Sequence, residues 1–146
     1  MSLLGAEAQI LARLSERLPS GVAALAKASL DEQAAGMLRA PAVYVIPAGA
    51  SVAESRPDAR AVRLTQRWMC LVAVRNVAEM TSGAPARADA GQLADAVIGA
   101  LMGWQPDGTS APLALVEVAD LGYLAGYQTV PLVFSTEIIR RADPAN

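Results

Sequence analysis

The chain has 146 residues with 12 basic and 14 acidic side chains, a formal charge of -2, one cysteine and no histidine. These counts exclude imidazole bases and metal sites, Ser-His-Asp and Cys-His nucleophile systems, internal disulfides and multi-cysteine zinc sites, and they lack the basic footprint of a protein that grips phosphate backbones. Hydrophobic residues make up 53% but aromatics only 4%, with mean hydropathy +0.32, so the apolar excess consists of small side chains suited to close backbone packing.

A chain of this length folds as one domain and buries ~70% of its unfolded surface without needing a disulfide or a metal. The N-terminal stretch has no basic segment and reaches a charge at Glu7, which argues against a secretory signal. The longest strongly apolar run, residues 68–74, is far short of the ~20 residues of a membrane span. The expected class is a soluble, cytoplasmic single domain over 1–146, with 141–146 as a loose C-terminal tail.

Ile10, Leu11, Leu14 and Leu18 recur on one side of residues 6–18 and predict an amphipathic helix stopped by Pro19-Ser20-Gly21. The alanine-rich residues 22–39 show no clean period and predict a loop with one or two helical turns. Pro41-Ala-Val-Tyr-Val-Ile-Pro47 predicts a strand bounded by prolines, and residues 48–58 carry turn chemistry that predicts a long exposed hairpin tip.

Residues 60–76 give the clearest strand signal. Val62, Leu64, Gln66, Trp68, Cys70, Val72 and Val74 fall on one face, which must be core; Arg63, Thr65, Arg67, Met69, Leu71, Ala73 and Arg75 fall on the other. Residues 77–88 predict a loop. Asp89 is the expected N-cap of a helix with Leu93, Val97, Leu101 and Trp104 in its stripe, ended by Gly103-Trp-Gln-Pro106-Asp-Gly108. Strands are predicted over 112–119 and 126–140, joined by a tight segment. The order predicts an α+β, two-layer domain: a mostly antiparallel sheet of about four strands with two main helices on one face.

Little in the chain suggests chemistry. The acidic groupings Asp31 with Glu32, Asp89 with Asp95 and Asp107 with Asp120 have no motif spacing and read as caps and solvated faces. Cys70 sits in core register and reads as an inert buried thiol. Lys27, the only lysine, has no supporting constellation, and no Gly-rich phosphate loop is present. Trp68 and Trp104 lie on apolar stripes and read as core. No catalytic residue, metal site or cofactor is expected. What remains is the mixed face of the long strand, where Arg63, Arg67 and Arg75 surround Met69 and Leu71. It is either a solvated sheet face or an intermolecular surface, since interfaces combine arginine with a short apolar centre.

The whole layout resembles the tail terminator proteins of long-tailed phages and prophages, the minor tail protein U-like group. The residues that carry the resemblance are the N-terminal helix, Val22-Ala-Ala-Leu-Ala, Pro41-Ala-Val-Tyr-Val, the strand from Arg60, the helix ending Leu101-Met-Gly-Trp104-Gln-Pro106, and Phe134-Ser-Thr-Glu. The resemblance implies a non-enzymatic virion protein, assembled in the host cytoplasm and located in the tail, that caps the head-proximal end of the tail tube. Its implied partners are further copies of itself in a hexameric ring, the tail-tube protein and a head-completion or neck protein, while DNA passes the lumen without specific binding. No residue role transfers with it. The expected subunit or tube contacts are therefore those of the mixed face and the following loop: Arg63, Arg67, Met69, Leu71, Arg75, Glu79 and Met80. The competing expectations are a head-completion or neck connector and, in a different class, a cytosolic domain that binds a small ligand between the sheet and Trp104.

Overall fold

The structure is a computed structural model that describes residues 2–27 and 39–146, so part of the predicted 22–39 loop, with Asp31 and Glu32, lies outside the described residues. In chain order the elements are α1 (Ala6–Arg17), β1 (Ala23–Ala26), β2 (Ala42–Ser55), β3 (Ala61–Arg75), α2 (Ala84–Leu101), β4 (Ala114–Val118), β5 (Gly122–Leu124) and β6 (Tyr127–Arg141). The architecture is α+β. One six-stranded sheet runs β1-β2-β3-β6-β4, with β5 also on β6. Among the described residues only the β1–β2 pair is parallel, and the other ladders are antiparallel.

The sheet therefore has six strands where about four were expected, and the extra ones are short. β1 forms from Ala23-Ala-Leu-Ala26, a stretch without β-branched side chains, because the parallel ladder Ala23↔Ala42 to Ala26↔Val45 supplies pairing that local propensity does not. β5 arises in the segment read as a tight link, against residues 127–129 of β6.

A second correction concerns residues 48–58. They do not form a long loop; β2 continues through Ser55, paired with β3 as far as Ser55↔Val62, and takes up the irregular residues by register shifts at Pro47/Ala50 and Val52/Glu54. The turn itself is confined to residues 56–60. There Arg56 N–H donates to Ala61 O at 3.0 Å, Ala59 N–H to Arg56 O at 2.9 Å and Arg60 N–H to Asp58 Oδ1 at 3.0 Å. At the other end β6 runs through Arg141, and Ala142 N–H donates to Arg60 O at 2.7 Å, so the ladder extends into the residues expected to be loose.

The main core joins one face of the sheet to both helices. Val43 and Val45 of β2, Trp68, Cys70, Val72 and Val74 of β3, and Val130, Leu132 and Phe134 of β6 form a single buried cluster with Ile10 and Leu14 of α1 and Val97 and Leu101 of α2. Register explains the set, since Val45↔Cys70↔Leu132 and Val43↔Val72↔Val130 are lateral neighbours. The small residues Ala86, Ala90, Ala94 and Ala100 of α2 are also buried, which lets the helix backbone approach closely and accounts for the many alanines.

α2 starts at Ala84, not at Asp89. Pro85 occupies the first turn, Gly83 is the N-cap residue at φ 68°, and Arg87 N–H donates to Gly83 O at 3.0 Å. Asp89 instead accepts a hydrogen bond from Asn76 Nδ2 at 2.9 Å, tying the helix to the end of β3. A Cβ at Gly83 would lie 3.0 Å from the Tyr123 ring in a left-handed backbone. Gly83→Ala is therefore expected to cost more than about 1 kcal/mol in urea unfolding, whereas Gly91→Ala, with open space around it, should be neutral or stabilising.

Candidate functional site

The second face of the sheet is not a bare platform. Tyr44 and Ile46 of β2 lie beside Leu71 and Met69 of β3 in register, and with Ala42 and Ala73 they form a separate small cluster, flanked by Ala23 and Leu25 of β1. Leu71 is only 2% exposed and Met69 is half-buried, so the apolar centre of the mixed face is largely covered within the chain. Burial rather than solvent exposure is thus the local fate of Leu71. Tyr44 Oη donates to Arg39 O at 2.8 Å, and Lys27 Nζ sits 6.0 Å from the Tyr44 ring centroid.

The three arginines do not act as one cluster; each meets a different element. Arg63 Nη2 donates to Glu54 Oε1 of β2 at 2.9 Å, and Arg67 Nη2 to Glu117 Oε1 of β4 at 3.0 Å. Arg75, at the far end of β3, places its guanidinium carbon 5.1 Å from the Tyr127 ring centroid. Even spacing along an extended strand of ~3.3 Å rise keeps Arg63 and Arg67 on one face but about 13 Å apart, too far for one ligand to bridge closely. The arrangement is a charged strip along the strand, not a pocket.

Glu79 and Met80 lie in the loop between β3 and α2. Glu79 O accepts from Ser82 and Gly83 N–H groups at 3.1 and 2.9 Å, which makes its own φ of 46° part of a tight turn. Met80 is 42% exposed, and its carbonyl accepts a hydrogen bond from Tyr123 Oη at 2.6 Å. The loop is thereby held to β5 and is a shaped surface.

Sequence patterning does not single out the apolar side chains beside that loop. Val116, Val118, Leu121 and Leu124 are 50–61% exposed along β4 and β5, although their alternation in the sequence suits core strands equally well. β4 ends the sheet, and among the described residues no strand covers its outer side. Exposed neighbouring apolar residues of this kind mark interaction surfaces.

Other predicted features resolve simply. Trp68 is fully buried, while Trp104 is half-buried with the Arg13 guanidinium over its ring at 4.9 Å. Arg13 Nε also donates to Ala100 O at 2.6 Å, so Arg13 fastens α1 to α2 and leaves Trp104 as part of a helix junction. Cys70 is completely buried, and desolvation raises its thiol pKa from 9.0 to about 12. Below pH 9 both folded and unfolded thiols keep the proton; between pH 9 and about 12 only the unfolded chain loses it, so this group's contribution to stability falls as pH rises. A thiol-reactive disulfide reagent at pH 8 should leave native protein unlabelled and label it fully in denaturant, and Cys70→Ala should flatten the stability loss above pH 9.

Comparison with known proteins decides the class. Residues 1–145 match the family described as "Phage tail terminator protein". The chain belongs to the phage tail terminator family. Membership makes it a structural component of a phage-type virion tail, one that associates with other virion parts. No curated protein sequence matches it. Among solved structures, a chain from the "Virion of native gene transfer agent (GTA) particle" has a similar fold, with a TM-score of 0.50 and 18% identity over 94% of this chain and 89% of that one.

Proposed function

We propose that this protein ends a phage-type tail: copies assemble as a hexameric ring on the head-proximal end of the tail tube, stop its polymerisation and present the surface to which the head joins. The observation that carries the proposal is the family match over residues 1–145. A ring needs heterologous contacts, one surface of a subunit meeting a different surface of the next, and closure of the ring prevents an open filament. The net charge of -2 suits a lumen through which DNA must pass without binding.

Within this reading the exposed members of the mixed face and its loop, Arg67, Arg75, Glu79 and Met80, together with half-buried Arg63 and Met69, contact a neighbouring subunit or the tube. Leu71, being covered, supports that face from beneath. The partners are the tail-tube protein on one side and a head-completion or neck protein on the other. Negative-stain imaging of growing tail tubes with and without the purified protein tests the reading. Rings at one end of tubes of arrested length are expected, and tubes that elongate unchanged with bare ends would overturn it.

A further inference from the structure

Among the described residues the sheet has two open edges, and they lie at its opposite ends. On β2, β1 occupies the outer side only as far as Val45, where Lys27 N–H donates to Val45 O at 3.1 Å. Beyond it, among the described residues, no strand pairs with the outer side of residues 47–55. At the other end β4 pairs with β6 on one side and with no described strand on the other. Unpaired N–H and C=O groups of this kind are templates for another strand.

The two edges also complement each other. Residues 48–53 of β2 are Ala, Gly, Ala, Ser, Val and Ala, nearly all small, and lead to Arg56 and Arg60 at the hairpin turn. β4 and the residues after it present Val116, Val118 and Leu121, each at least half exposed, with the acids Glu117 and Asp120 among them. Bulky apolar side chains on one edge thus face small ones on the other; Glu117 is already paired with Arg67, and Arg56 with Asp58, inside the chain, so shape and not charge carries the match. Strand sense agrees as well. β2, β3, β6 and β4 alternate in direction, so β4 runs opposite to β2. When copies succeed one another about an axis along the strands, β4 of one meets β2 of the next antiparallel, and the alternation continues unbroken. The bulges at Pro47/Ala50, Val52/Glu54 and Leu115/Glu117 twist both edges, which disfavours pairing with flat, unrelated strands.

We infer that the open edge of β2 at residues 47–55 pairs with β4 (Ala114–Val118) of a neighbouring copy, so that the sheets join head to tail into one continuous band. The inference rests on the ring reading for its biological setting, but not for its geometry. Because β1 holds the edge of β2 up to Val45, the neighbour sits staggered toward Ser55. A staggered register of this kind is what tilted strands adopt when a sheet closes on itself.

Cysteine cross-linking tests it, since Cys70 is buried and does not interfere. Ser51→Cys is combined in one chain with Glu117→Cys on the mixed face, and separately Val52→Cys with Val118→Cys on the helix face, so that both side-chain registers are covered. Each double variant is oxidised on tail tubes and, without tubes, at high protein concentration. A ladder of covalent oligomers extending beyond dimers, seen in at least one double variant and in none of the single variants, is the expected result. Adding Val116→Lys to the Val52→Cys/Val118→Cys chain should abolish that ladder. Dimers formed by Ser51→Cys or Val52→Cys alone with no longer ladder, adducts to the tube subunit in place of the ladder, or no cross-link in either setting would overturn the pairing. Capping by the unmodified protein is scored separately. Capping without a ladder overturns the edge pairing and leaves the ring reading standing; a ladder in free solution without capping does the reverse.

Discussion

Trp68→Ala is expected to lower unfolding free energy by about 3–5 kcal/mol. Trp68 is fully buried and sits at the centre of β3, with Pro47 on one side and Phe134 on the other in register. Its face is the one on which residues of α1 and α2 converge, so the indole touches a layer built from both ends of the sequence. Alanines already fill much of α2, and small side chains cannot swing in to collapse the space left behind. The cavity term should therefore persist, where a more flexible surround would relieve it. For a domain of this size the loss corresponds to a melting point lower by on the order of 10 °C. Met102→Ala, at a residue 58% exposed, should change stability by less than about 0.5 kcal/mol and serves as the control. A Trp68→Ala loss below about 1 kcal/mol would mean that this layer is not the main core.

The same residue shows why β3 was legible. Over 60–76 the side chains fall on two alternating faces, charged or polar at both ends on one of them, and only one register puts Trp68, Cys70, Val72 and Val74 together. The terminal helix and the stop at Gly103 were legible for similar reasons, because leucines at helical spacing and Gly103 at φ 82° are strong local signals. β1 and the outer half of β2 were not. Alanine, glycine and serine have weak strand preference, and the Ala23–Ala26 and Ala42–Ser55 strands are fixed by partners distant in sequence, which no local pattern encodes. The start of α2 failed in a related way: Asp89 looks like a cap, yet Gly83 and Pro85 set the first turn several residues earlier.

For the candidate surface, alternation correctly separates Arg63, Arg67 and Arg75 from the core. What it does not convey is that a face opposite the helices has its own cover. Leu71 is buried because Tyr44 and Ile46 arrive beside it on β2, a consequence of register that is invisible in either strand alone. The exposed Val116 and Val118 are the mirror case. Their pattern is that of a buried strand, and only the place of β4 at the end of the sheet leaves them uncovered.

Reversing two charges on the mixed face, Arg67→Glu with Arg75→Glu, is expected to abolish or severely reduce tail capping while leaving the subunit folded. Both arginines are exposed and make contacts of modest worth: an ion pair with Glu117 and a ring contact with Tyr127, each about 0–1 kcal/mol at such sites. Like-charge repulsion between Glu117 and the carboxylate that replaces the Arg67 guanidinium adds a similar amount, so the melting point should fall by only a few degrees. A partner surface that meets this strip faces a different balance. Two cations become two anions, and like-charge juxtaposition across an interface costs several kcal/mol, enough for a thousandfold loss of binding at about 4 kcal/mol. Arg13→Glu provides the opposite control. Arg13 joins α1 to α2 through Trp104 and Ala100, away from the mixed face, so its reversal should lower stability and leave the capping of tubes by folded protein intact. Circular dichroism with thermal melts, read beside counts of capped tube ends, separates the two effects. Normal capping by the Arg67/Arg75 double variant would remove this strip from the interface and shift the contact to the β4 and β2 edges alone.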